Sequence, residues 1–158
     1  MFGGGIGTYL YTALGGLDTV SNATSGWQHI KAGPAAAVAH RLPFGRAQVA
    51  TRFGRAAVSW VGGAASGSVG LSETSTTHFT LNATIPSGAT GTLKVVMLGE
   101  ATDVYSDSTP VWKNDAFIPN AAPGLISATL VNEEGFQTIL FEVMSGVYHL
   151  EAVSVLQT

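Results

Sequence analysis

From Arg46 onward the apolar residues of this chain recur at every second position. Ala47, Val49, Thr51 and Phe53 alternate with polar or basic neighbours. Gly54 permits a tight turn, and Ala56, Val58 and Trp60 resume the alternation beyond it. This is the pattern of a β-hairpin. Thr76 to Ile85 repeats it more cleanly. Phe79, Leu81, Ala83 and Ile85 point one way, and His78, Thr80, Asn82 and Thr84 the other. One buried and one wet face is the signature of an antiparallel sheet. Pro86-Ser87-Gly88 closes that strand. Further strands are predicted over Thr92–Leu98, Ala101–Tyr105, Leu125–Val131, Thr138–Met144 and Val147–Leu156, with turns at Gly135 and Ser145-Gly146. Ser106–Gly124 reads as a long surface excursion around Trp112 and Phe117. Roughly seven or eight short strands at regular spacing predict an antiparallel, jelly-roll-like β-sandwich.

The first residues follow a different period. Ile6, Tyr9, Leu10, Ala13, Leu14 and Leu17 fall on one stripe of a short helix, with Gly15-Gly16 as its stop. Such a helix is marginal alone, so the stripe Ile6, Tyr9, Leu10, Ala13, Leu14 is expected to face a partner. Trp27–Ile30 reads as a short strand, and Lys31–Pro43 as a linker packed on the sheet. The expected division is residues 1–45 as helix and linker and residues 46–158 as sandwich. The glycine-rich opening reads as the middle of something larger, with any export signal upstream of Met1.

Composition adds two constraints. Charged residues make up 11% of the 158, against about a quarter in a typical soluble domain, while hydrophobic residues reach 46% beside 20 glycines. Either the exterior is Ser/Thr-rich, or partners, further domains or sugar cover it. The net charge of −3 offers no basic footprint for nucleic acid. The absence of cysteine excludes disulfides and thiolate zinc sites. No run reaches the length of a membrane span.

Candidate chemistry is sparse. Glycoside hydrolysis needs two facing carboxylates, yet most acids here fall in predicted turns or on solvent faces. Asp103 and Asp107 lack the dense oxygen spacing of a calcium loop. His29, His40, His78 and His149 show no local zinc spacing, so no metal site is expected. No serine stands in a nucleophile elbow, and Gly3–Gly7 lacks the strand and lysine of a phosphate loop. No cofactor is expected. Three tryptophans could stack on sugar rings. Trp60 shares register with Val58 and reads as core. Trp112, in the predicted loop, is the expected exposed ring, and Trp27 is the second carbohydrate candidate. Asn22-Ala23-Thr24 and Asn82-Ala83-Thr84 fit the N-glycosylation pattern, and Asn22 and Asn82 are both expected to be exposed.

Met1-Phe2-Gly3-Gly4-Gly5-Ile6-Gly7-Thr8-Tyr9-Leu10-Tyr11, then Leu14-Gly15-Gly16-Leu17 and Gly26-Trp27-Gln28-His29-Ile30, resembles the end of the catalytic helical barrel of bacterial and fungal α-L-rhamnosidases. Phe53–Trp60 is similar to the hairpin entering that family's C-terminal sandwich. Phe79–Leu93 and Ser145–Leu150 look like later strands of it. The resemblance implies a secreted, non-catalytic β-sandwich module with a remnant barrel helix. Its implied partner is a missing catalytic barrel, or copies of itself. The family's acid and base glutamates lie in the barrel, ahead of anything matched here, so no catalytic residue carries over. The alternatives are a carbohydrate-binding module and a self-assembling structural protein pairing through edge strands.

Overall fold

The computed structural model describes residues 14–19, 27–62 and 75–156. Of the expected helix from Ile6 to its Gly15-Gly16 stop, everything before Leu14 lies outside them. The described chain is a two-sheet sandwich of twelve strands and one short helix. The strands are β1 (Leu17–Thr19), β2 (His29–Ala32), β3 (Phe44–Thr51), β4 (Gly54–Val61), β5 (Ser75–Ile85) and β6 (Thr90–Val96), then β7 (Glu100–Ser106), β8 (Thr109–Lys113), β9 (Ala116–Phe117), β10 (Leu125–Glu133), β11 (Phe136–Val143) and β12 (Gly146–Leu156). The helix α1 is Ala36–Ala39. One sheet has the order β1-β2-β6-β11-β10, the other β3-β4-β5-β12-β7-β8-β9. All pairings are antiparallel except β2 with β6.

The period-two residues supply the core. Val58, Trp60, Phe79, Leu81 and Leu150 from the second sheet lie with Ile30, Leu93, Val95, Ile139 and Phe141 from the first, each 3% exposed or less. The rings of Trp60 and Phe79 stack at 6.3 Å. One buried polar pair, Thr102 with Ser154, satisfies itself at 2.6 Å between β7 and β12.

Four expectations are corrected. Leu17 belongs to strand β1, paired with Ala32, and is not the end of a helical stripe. Trp27 stands in a turn with φ of 61°, and the strand begins two residues later at His29. Residues 31–43 are not a plain linker. They finish β2 and form α1, whose Ala36 and Ala39 are buried. The first sheet therefore draws two strands from before Arg46.

Ser106–Gly124 is the fourth correction. It folds back as β8 and β9 on the edge of the second sheet. The reason is local. Asp107-Ser108 links Ser106 to Thr109, and Asn114-Asp115 links Lys113 to Ala116, with all four linking residues at positive φ. Two-residue turns of this hand match strand twist, and Asn and Asp tolerate them. Trp112 is consequently paired with Val104 and Phe117 and is 3% exposed, not an exposed loop ring. The ring of Phe117 in turn meets Phe141 edge-on at 6.4 Å.

Gly33 has φ of 131°, and a Cβ there would run into the backbone and side chain of Lys94. Gly135, at φ of 88°, has open space instead. Gly33→Ala should therefore destabilise by clearly more than Gly135→Ala, which bears only the left-handed strain of about 1–2 kcal/mol. Leu93→Ala should cost about 3 kcal/mol. Urea unfolding midpoints of the three variants check both statements.

Candidate functional site

Two polar constellations stand on the outer faces of the sandwich. On the first sheet, β2, β6 and β11 bring His29, Thr90, Thr92 and Glu142 together. The ring nitrogens of His29 lie 2.8 Å from the Thr90 hydroxyl and 2.7 Å from the Thr92 hydroxyl. Thr92 donates to Glu142 Oε1 at 2.8 Å. The residue types invite comparison with a hydroxyl–imidazole–carboxylate triad, but the geometry differs. A triad places nucleophile and carboxylate on opposite ring nitrogens. Here Thr90 does lie on the nitrogen opposite Glu142, but Glu142 stands 3.9 Å from Nε2, beyond hydrogen-bond reach, and Thr92 occupies that nitrogen in its place. The hydroxyl is already committed to the carboxylate, and Thr92 is 7% exposed. The cluster stitches the parallel β2–β6 pair to β11.

On the second sheet, residues from β3, β4, β5 and β12 line an open groove of about 520 Å³. Strand register builds it. Gln48, Ala57, Thr84 and Val147 form one cross-strand row. Arg46, Ser59, Asn82 and His149 form the next. Arg55 stands one step further along β4. Asn82 is exposed, as expected, and its Oδ1 lies 2.6 Å from His149 Nδ1. Arg46 and Arg55 are exposed and make no ion pair or hydrogen bond among the described residues. The alternating pattern of β3 and β4 predicted the hairpin but not this juxtaposition, which arises only from four strands in register.

The other candidates are dispersed. Trp27 is half-buried against the core edge, and Trp60 is core. Trp112 presents no open face, so its ring cannot serve as a sugar platform. Asn22 and residues Ile6, Tyr9, Leu10 and Ala13 of the stripe fall outside the described residues. Leu14 is described, and its carbonyl accepts from Trp60 Nε1 at 3.2 Å. His78 is exposed and faces Glu151 at 3.1 Å. Asp103 faces Lys113 at 3.8 Å. No group of three or more His, Asp or Glu residues suited to a metal occurs among the described residues. No helix among them is long and apolar enough to cross a membrane.

Against known proteins, no family model and no curated protein matches the sequence. Solved structures do match. An α-L-rhamnosidase from Dictyoglumus thermophilum superposes with a TM-score of 0.59 at 15% identity, covering 93% of this chain and 13% of that one. A Streptomyces avermitilis α-L-rhamnosidase, solved with L-rhamnose, gives 0.52 at 17% identity, over 92% of this chain and 10% of that one. The chain has the fold of one segment of α-L-rhamnosidases. It spans only a tenth to an eighth of those enzymes, so the likeness concerns one module of a multi-part protein.

Two outcomes follow from these surroundings. Trp112 Nε1 is buried without a hydrogen-bond partner, whereas that of Trp60 is bonded. Trp60→Phe should therefore destabilise by about 1 kcal/mol more than Trp112→Phe in chemical unfolding. The second outcome concerns His40, whose ring stacks on Phe136 at 4.3 Å. Desolvation there lowers its pKa below the usual 6.5, opposed by a hydrogen bond with the Met97 backbone. The folded state then favours the neutral ring. This contribution is complete above pH 6.5 and is lost as pH falls through the lowered value. His40→Gln should lose less stability than the parent between about pH 7.5 and pH 5.5, as read from urea midpoints.

Proposed function

We propose that the chain is a non-catalytic C-terminal β-sandwich module that supports the barrel of a secreted α-L-rhamnosidase-like glycosidase. The observation carrying this reading is the asymmetry of coverage: nearly all of this chain corresponds to about a tenth of those enzymes. In this reading residues 1–45 lead out of the barrel into the sandwich and 46–158 build most of it. The stripe Ile6, Tyr9, Leu10, Ala13 and Leu14 then packs on the barrel. Leu14 enters beside Trp60 and Gly45, and the neighbouring strand ends carry exposed Phe44 (66%) and Val61 (58%). These two apolar side chains suit a covered surface. The exposed edge strand β3 favours self-association as the second reading, because an unpaired edge is a template for another strand.

The purified chain alone should release no chromophore from a nitrophenyl α-L-rhamnoside. Hydrolysis above the buffer rate would show that the module is not catalytically inert. Added in equimolar amount to the isolated helical barrel of an α-L-rhamnosidase, the chain should raise the barrel's melting temperature, and Phe44→Glu should cancel that gain. Unchanged melting would count against barrel support. Mass rising with concentration in light scattering would favour self-association.

A further inference from the structure

The groove on the outer face of the second sheet combines three features that belong together only in a binding site. The first is unopposed charge. The hairpin β3–β4 carries Arg46 and Arg55 on its strands and none of the chain's ten acids. Across the outward positions of β3, β4, β5 and β12 the single acid is Glu151, and it is turned to His78. Arg46 and Arg55 therefore face solvent with no neutralising neighbour among the described residues. The second is neutral hydrogen-bonding capacity. Gln48, Ser59, Asn82 and Thr84 lie between and beside the two arginines. The third is room. Ala57 at the centre of the lining leaves space, and the volume falls in the range of ligand sites.

We infer that this groove binds an anionic oligosaccharide, a linear sugar chain bearing carboxylate or sulfate groups. The spacing suits a chain with charges along its length. Arg46 is paired with Ser59, and Arg55 lies four residues from Ser59 along β4, a separation of about 13 Å. A linear polyanion can follow that line and meet both guanidinium groups along its length. The chemistry selects a sugar over an acidic peptide. Strands β4, β5 and β12 are paired on both sides, so a peptide could add a strand only at the outer edge of β3, and recognition on the face itself falls to side chains. Amide and hydroxyl side chains suit the many hydroxyls of a sugar, and guanidinium forks suit planar or tetrahedral anions. Among the described residues no aromatic ring lines the groove, so they offer a neutral glycan no stacking surface. Binding then depends on charge and weakens with salt. This inference does not rest on the barrel-support reading, and a failure of either leaves the other standing.

The test is an NMR and calorimetric titration of the unglycosylated chain, so that no glycan on Asn82 fills the groove. The probes are a linear uronic-acid oligomer, a sulfated oligomer, a neutral oligomer of equal length and an oligoglutamate peptide. Shifts are expected at the amides of Gln48, Ser59, Asn82 and Thr84 with one or both anionic sugars, and the stronger of the two identifies the anion. The double variant Arg46→Gln/Arg55→Gln should fold normally, as both side chains are exposed, and should lose about tenfold or more in affinity. Arg52→Gln, on the turn outside the lining, should change affinity less. Four results would overturn the inference: no response to either anionic sugar, equal response to the neutral oligomer, stronger response to oligoglutamate, or unaltered binding by the double variant.

Discussion

The architecture hangs on the ladder between β5 and β12. These two strands pair residue for residue over their full lengths, from Ser75 with Leu156 to Ile85 with Gly146. Along one face the ladder presents Phe79, Leu81, Ala83 and Ile85 beside Tyr148, Leu150 and Ala152, all buried. Along the other it presents His78, Asn82, Val147 and His149 to solvent. The hairpin β3–β4 is attached through β5, and the ribbon β7–β8–β9 through β12. A one-residue slip would turn every side chain of a strand to the wrong face. The register of this pair therefore fixes the core and the groove together. Pairing a strand near the middle of the chain with the last strand is costly in loop entropy, and it is offset by the apolar area that both strands bury.

The first sheet solves a different problem. Its strand β2 is short and runs parallel to β6, a less stable pairing per residue than an antiparallel one. Side chains compensate. His29 reaches the hydroxyls of Thr90 and Thr92, and Thr92 reaches Glu142 on the next strand. Gly33 lets the chain pass close over Lys94, whose ammonium is held by Glu133 at 2.7 Å. A set of residues that could pass for catalytic machinery thus serves a structural joint. Distance decides this, since Glu142 bonds to Thr92 and stands 3.9 Å from the ring, leaving no carboxylate hydrogen-bonded to the imidazole.

The strands with strong alternation were legible in the sequence because their two faces differ sharply, as in Thr76–Ile85. The strands that escaped are short or lack a wet face. β2, expected at Trp27–Ile30, lies two residues further on, while β1, β8 and β9 have five residues or fewer, too few to display a period. Trp112 was misplaced for the same reason. Prolines and asparagines around it suggest a loop, yet the pairs Asp107-Ser108 and Asn114-Asp115 are hairpin turns. The dipeptides carried that signal, and weight given to them would have recovered the ribbon. The groove was not legible at all. Arg46 and Arg55 share one hairpin, but Asn82 and Val147 lie far along the chain from them, and only the register of four strands gathers the set.

Edge protection offers a competing account of the arginines. Charged side chains on an edge strand discourage pairing with other molecules. This explains Arg46, since β3 is the outermost strand of its sheet. It does not explain Arg55, which lies on β4, covered on both sides by β3 and β5. Nor does it explain why a chain with ten acids places none of them on this hairpin. Alternating signs would protect an edge equally well and would hold the arginines in ion pairs. A hairpin without acids, with amides and hydroxyls in register beside it, leaves the charge of Arg46 and Arg55 available to a ligand.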